Sequence, residues 1–285
     1  MIRTYRYLDE IKNPLDVVSL NLSGQNLRYI AAKVFDMENL VRLDIERNNI
    51  TQIPAEIGQL ENLISLNASY NRISHLPFTF LFLRRLNVLA LAGNDIQCLS
   101  KEFLLPALEI LNLANNPLYE YCDEVGQLNV HTLLELSSIK SKEIPPLTGC
   151  YSRLKRFVFQ HKKKVQFPEW IYNLKKLEHL ELDHCDLHSI SSEIGRLKNL
   201  KILSLLDNNL TQLPDEICDC TALENLILSN NMLSSLPRFL IYLKNLRQVE
   251  IKDNFFERFP SLFVQKPDLQ WNLKDNPLLQ ELGVN

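Results

Sequence analysis

The sequence carries no excess of charge of either sign: Lys and Arg number 31, Asp and Glu 34, for a formal net charge of −3. Without an overall positive field, nucleic acid and anionic lipid are not gathered by bulk electrostatics, and either partner would need a local basic patch. Long apolar runs are also missing. The opening MIRTYRYLDEIKNP is charged and polar where a signal peptide carries an apolar core, and no segment reaches the ~18 apolar residues of a membrane helix. These absences imply a cytoplasmic protein, or one exported without a classical signal peptide, with no membrane partner. The six cysteines (Cys98, Cys122, Cys150, Cys185, Cys218, Cys220) lack the paired spacing of a zinc site, since Cys218-x-Cys220 stands alone. They read as free thiols, and no metal or cofactor is expected. What the chain does have is 46% apolar and 23% charged residues, a composition that folds rather than stays disordered.

The dominant signal is a repeat. Units starting at Val17, Leu40, Leu63, Leu86, Leu108, His131, Leu154, Leu177, Leu200, Leu223, Leu246 and Asp268 follow one another at 22 or 23 residues. Three places after each start runs an apolar column from Leu20 to Trp271, and two places further a second from Leu22 to Leu273. Alternation with polar neighbours is the period of a half-buried strand. A later Leu, Ile or Phe, often followed by Pro (Pro54, Pro77, Pro145, Pro168, Pro214, Pro237, Pro260), marks a turn into a second element. Pieces such as PAEIGQLEN and SSEIGRLKN open like short helices, with Pro or Ser first and Glu in the first turn.

The stretch LVRLDIERNNITQIP resembles the leucine-rich repeat family, in the intracellular 23-residue LPxxI class that includes Ras-interacting scaffolds and is similar to some bacterial effectors. The resemblance spans residues 17 to 285, with residues 1 to 16 expected as an N-terminal cap. It implies an α/β fold: a right-handed solenoid of about twelve repeats, with a parallel sheet on the concave face and short helices or 3-10 turns on the convex face. It also implies a non-enzymatic module that binds a protein, with a small GTPase, a phosphatase or a host protein as partner classes. An appended catalytic domain, as in repeat-bearing ubiquitin ligases, would have to fit into about 16 residues before Val17 and a handful after Leu278.

Eight places after each start the family puts an inward asparagine that hydrogen-bonds backbone groups left unpaired beyond the strand. Asn48, Asn71, Asn94, Asn116, Asn208, Asn231, Asn254 and Asn276 keep it, and Gln25 retains an amide. Ile139, Lys162 and Cys185 break it in three successive central units, and Ser141 and Lys164 replace the next apolar residue in two of them. Buried ammonium groups are prohibitive, so the loop carrying Lys162, Lys163 and Lys164 is expected to swing into water. It is either a drifted repeat or a cationic patch for an anion or nucleic acid, although nucleic acid is disfavoured by the overall charge.

The outward strand positions, two, four and six places past each start, should hold the partner. Val88, Ile110 and Leu133 form one apolar group there, and Ile202, Leu206 and Ile227 another, with Arg156, His179, Glu181 and Asp183 as a polar band between them. A second candidate is convex, where Trp170 and Phe239 replace the usual Glu and Phe78, Leu81 and Phe82 crowd one unit. HLELDHCDLH is rich in metal ligands, but Cys185 should point inward and His179 outward, so the set does not converge. Glu181 and Asp183 on an open sheet lack the dry pocket that a catalytic carboxylate pair needs.

Overall fold

A computed structural model describes residues 3–99, 105–118, 130, 133–136, 153–160, 169–258, 266 and 268–278. They divide between two compact units, the first ending at residue 136 and the second beginning at residue 153.

The first unit contains β1 (Thr4–Tyr5), β2 (Ser19–Asn21), β3 (Arg42–Asp44), β4 (Ser65–Asn67), β5 (Val88–Ala90), β6 (Ile110–Asn112) and β7 (Leu133–Glu135), each parallel to the next. The second contains β8 (Arg156–Val158), β9 (His179–Glu181), β10 (Ile202–Ser204), β11 (Asn225–Ile227), β12 (Gln248–Glu250) and β13 (Gln270–Asn272), again parallel. All twelve repeat units thus supply a strand in the expected place. The thirteenth strand, β1, lies among the residues expected only to cap the repeats. Thr4 pairs with Ser19 and Tyr5 with Leu20, covering an edge of β2 that would otherwise leave backbone donors and acceptors open.

Each strand is only two or three residues long, so the sheet is held by stacking rather than by strand length. The inward column is in strict register: Leu20, Leu43, Leu66, Leu89, Leu111 and Leu134 in the first unit, Phe157, Leu180, Leu203, Leu226, Val249 and Trp271 in the second. Leu66, Leu89, Leu113, Leu182, Leu205 and Leu228, the expected core, are all buried.

Where it is described, the second element of a repeat is a single 3-10 turn. Ala55–Gln59, Phe78–Phe82, Asp215–Asp219 and Arg238–Tyr242 each follow a proline at the N-cap (Pro54, Pro77, Pro214, Pro237), extended in the first three, while Ser191 caps Ser192–Arg196 through its hydroxyl. Five residues are too few to propagate an α-helix, and i→i+3 bonds such as Ile57 N to Pro54 O (3.1 Å) satisfy the turn at once. Adjacent turns pack backbone against backbone at two points. A Cβ added to Gly58 would lie 2.9 Å from Thr79 O, and one added to Gly195 would lie 2.8 Å from Glu216 O, so neither place tolerates a side chain.

The asparagine ladder forms as expected. All eight residues are buried. In Asn48 the side-chain oxygen accepts from Gln25 N and Leu27 N at 3.0 Å, while Nδ2 donates to Leu22 O and Ile45 O at 2.9 Å. The Gln25 side-chain amide donates instead to Arg6 O, at 2.6 Å. Cys185 occupies the same place in its unit and aims its thiol at the matching carbonyls, Phe159 O at 3.7 Å and Asp183 O at 3.3 Å. One step before the ladder the backbone turns left-handed at every described position: Gly24, Arg47, Tyr70, Gly93, Asn115, His184, Asp207, Asn230, Asp253 and Asp275 all have φ between 51° and 69°. Asn, Asp and His tolerate that conformation, whereas Arg47 and Tyr70 hold it at a cost.

Candidate functional site

The open face of each sheet is the side of the strands turned away from the 3-10 turns and the buried leucines. In the first unit, Val88 pairs with Ile110 and Ile110 with Leu133, so three apolar side chains line up on three adjacent strands. All three are half-buried, with Ala90, Asn112 and Glu135 forming the row beside them. Asn112 Nδ2 donates to Glu135 Oε2 at 2.7 Å, which fixes a polar margin along that apolar row.

In the second unit the corresponding row runs Arg156, His179, Ile202, Asn225, and the next Val158, Glu181, Ser204, Ile227. Ile202 and Ile227 are therefore diagonal neighbours, with Leu206 beyond the end of β10; all three are half-buried. The polar band converges on Glu181. Its carboxylate accepts from Gln160 Nε2 at 2.6 Å and lies 3.5 Å from His179 Nε2 and 3.9 Å from Arg156 Nη2. The hydrogen bond from His179 holds the Glu181 carboxyl below the usual carboxylate range, against the opposing effect of burial. Glu181 is thus a fixed negative point flanked by a guanidinium and an imidazole.

Asp183 departs from the expected outward placement. It is buried, at 5% exposure, and its Oδ1 accepts from Ser204 Oγ at 2.7 Å and from Leu206 N at 3.0 Å. Burial pushes its pKa up, partly offset by the Ser204 hydroxyl. Period-two alternation ends with β9 at Glu181, and two residues later the chain has begun its turn, so the side chain folds onto the neighbouring strand. Asp183 is a cap for the next repeat and does not stand out from the open face.

Other outward positions also have structural duties that the alternation did not reveal. Asn21, Asp44, Asn67 and Asn112, four places past their starts, each accept from the backbone N–H two residues on, at 2.9 to 3.2 Å. These are Asx turns that end the strand. A second amide ladder runs along the opposite edge of the strands: Asn39, Asn62, Asn199 and Asn245 donate to Leu15 O, Glu38 O, Lys175 O and Thr221 O at 2.8 to 3.0 Å. Its signal in the sequence was the recurring Asn-Leu at unit starts.

The remaining candidates are quickly placed. Lys162, Lys163 and Lys164 lie outside the described residues, as do His161, Ile139 and Ser141. Trp170 packs edge-on against the buried Phe157 (5.6 Å between centroids), and so extends the core. Phe239 is exposed and stacks on Tyr242 with the Arg238 guanidinium 4.5 Å above its ring. Among the described residues no group of three or more His, Cys, Asp or Glu side chains is placed to hold a metal. His184 Nδ1 contacts Asp207 Oδ2, while Cys185 is buried and His179 lies on the open face. Burial, with Asp215 and Asp219 adding to it, pushes the Cys218 thiol up to about 11; burial pushes Cys220 up to about 12. Neither thiol is a nucleophile or ready ligand at neutral pH.

These observations, a strand and a 3-10 turn per 22 or 23 residues with an inward asparagine ladder, meet a direct comparison: the family described as Leucine rich repeat matches residues 16–73 and 175–233. The fold is a leucine-rich-repeat solenoid. A leucine-rich-repeat protein of Leptospira interrogans aligns over 97% of this chain and 89% of its own, with a TM-score of 0.68 and 27% identity. The leucine-rich-repeat ectodomain of the Arabidopsis thaliana receptor kinase GASSHO1/SCHENGEN3, solved in complex with CASPARIAN STRIP INTEGRITY FACTOR 2, covers 87% of this chain and 34% of its own at 25% identity and a TM-score of 0.62. A curated relative, the adenylate cyclase of Schizosaccharomyces pombe, is 34% identical over 134 residues, which is 45% of this chain and 8% of the cyclase. The leucine-rich repeats here thus span less than a tenth of that relative. Among the described residues no helix is long and apolar enough to cross a membrane.

Proposed function

We propose that the protein is a non-enzymatic recognition module that docks a protein partner on the open face of its leucine-rich-repeat sheet. The observation that carries this reading is the in-register row of Val88, Ile110 and Leu133, three apolar side chains left half-exposed beside the polar Asn112–Glu135 pair. Such side chains add nothing to the core behind the sheet and lose solvation when covered, the property of an interface anchor. Ile202, Leu206 and Ile227 make a second, diagonal anchor. Arg156, His179 and Glu181 supply selectivity, since a preset charge constellation rejects partners of the wrong charge more than it adds affinity. Asp183, being consumed by its own fold, has no part in this. The complex of the plant receptor ectodomain, a leucine-rich-repeat structure, supports a binding role for such a fold.

The test uses a partner obtained by affinity capture and then measured in purified form. Changing Ile202, Leu206 and Ile227 together to Asp, or Val88 and Ile110 together to Asp, should weaken binding by about 100-fold or more, because unpaired charges would be buried at the contact. Circular dichroism should remain that of the folded protein. Binding that survives both changes and is lost on altering Phe239 and Tyr242 would move the interface to the turn side.

A further inference from the structure

The strand-start edge of the second unit has a gap in its exposed amide ladder. Asn199 and Asn245 donate to the preceding repeat in the regular way, but Lys176 and Ala222 stand at the equivalent places in two other repeats. With only a methyl group at Ala222, a cleft of about 250 Å³ opens, lined by Lys155, Lys176, Glu178, Asn199, Lys201 and Ala222. Three ammonium groups and one carboxylate face it. Glu178 is shared, with Oε2 2.6 Å from Lys201 Nζ and Oε1 3.6 Å from Lys155 Nζ. Among the described residues Lys176 has no ion-pair partner. Three ammoniums line the cleft against one carboxylate, with Glu224 acting on Lys201 from beside it, so the concavity is net positive on a chain whose net charge is −3.

We propose that this cleft binds a phosphate group, the doubly charged end of a phosphomonoester, between Lys155, Lys176 and Lys201. A phosphate dianion has three oxygens to set against three ammoniums, whereas a carboxylate has two and half the charge, and lysine ammoniums serve oxyanions as movable point charges with three donors each. Glu178 sets a threshold: it holds the lysines in place when the cleft is empty and repels a weakly charged anion. The small residue at position 222 gives the site its depth, which separates it from a merely basic surface.

The experiment titrates the full chain at low salt with inorganic phosphate, pyrophosphate and acetate, following chemical shifts of the lysine side chains, and in a second arm measures retention on phosphatidylcholine vesicles with and without phosphatidic acid. Saturable binding of phosphate and pyrophosphate in preference to acetate is expected, falling with ionic strength. Lys176→Gln should weaken it, and Ala222→Asn should abolish it by refilling the ladder while leaving every charge in place. Glu178→Gln should tighten it about fivefold by removing the repelling carboxylate. Binding in the vesicle arm alone, lost with Ala222→Asn, assigns the phosphate to a headgroup. Absence of saturable binding in both arms, or binding indifferent to Ala222→Asn, overturns the proposal. Thermal melts of the surface variants should match the parent.

Discussion

Removing one rung of the inward ladder should cost more than removing a typical hydrogen bond, and Asn231→Ala measures it. Asn231 is buried; its Oδ1 accepts from Leu210 N at 3.0 Å, and its Nδ2 donates to Leu205 O at 2.9 Å and Leu228 O at 3.0 Å. Alanine strands one backbone donor, Leu210 N–H, and takes one of two amide donors from each carbonyl, since Leu205 O keeps Asn208 Nδ2 at 2.9 Å and Leu228 O keeps Asn254 Nδ2 at 3.0 Å. At roughly 1–3 kcal/mol for the stranded donor and about 0.5 kcal/mol for each carbonyl that loses one of its two donors, tempered by a water entering the vacated space, the loss should be about 2–4 kcal/mol. Asn199→Ala is the matched control. It removes an amide of similar geometry, 2.8 Å from Lys175 O, but at an exposed site where water replaces it, so its cost should stay below about 1 kcal/mol. Urea unfolding followed by circular dichroism gives the difference between the two. Repeat arrays can lose two-state behaviour, so hydrogen exchange at the Leu210 amide supplies a local reading that does not depend on it: slow in the parent, fast in Asn231→Ala. Equal costs for the two variants, or continued protection of Leu210, would refute the argument that the ladder carries the turn backbone.

Leu205→Ala, in the middle of the second unit's core, should cost about 2–5 kcal/mol in the same unfolding assay, and a value near zero would mean that the repeat register is misplaced. Cys185→Asn should stabilise by about 1 kcal/mol, because an amide would give true donors to the Phe159 and Asp183 carbonyls that the thiol now meets at 3.7 and 3.3 Å. Asp183→Asn tests the buried carboxylate through pH. Burial raises the Asp183 pKa, so the cost of its charge is present at pH 7 and disappears as pH falls through the raised folded value towards 3.8. The variant, which keeps the Oδ1 acceptor, should gain on the parent at neutral pH and lose that gain in acid. Glu181→Gln should behave oppositely: the Glu181 pKa is lowered, so its stabilising pairing is present at pH 7 and is lost as pH falls through the folded value.

The repeat was readable because its signal is summed over a dozen copies: one weak apolar column repeated from Leu20 to Trp271 is a strong one, and the structure puts a strand at each. What escaped was whatever depended on a single copy or a short stretch. β1 is two residues long, too short for alternation to show. Asp183 was misplaced because parity was carried past the end of a three-residue strand, where side chains stop alternating. The left-handed column was hidden by its mixed occupants, since Arg47 and Tyr70 share with Gly24 and Gly93 a conformation that sequence patterns associate with glycine. Of the candidate site, the apolar row on β5 to β7 was legible as a row; the diagonal placement of Ile202 and Ile227 needed the register.

The close approach at Gly58 and Gly195 bears on how such a face can change shape. On the strand side the interval between repeats is pinned by hydrogen bonds near 4.8 Å. On the turn side it depends on what stands at this one position, where other repeats carry Leu81, Cys218 and Ile241. A glycine lets two neighbouring turns close up and straightens the local arc, while a larger residue wedges them apart and bends it. Two chains with identical side chains on the open face could therefore present them at different angles to the same ligand, tuned from a column that no ligand touches.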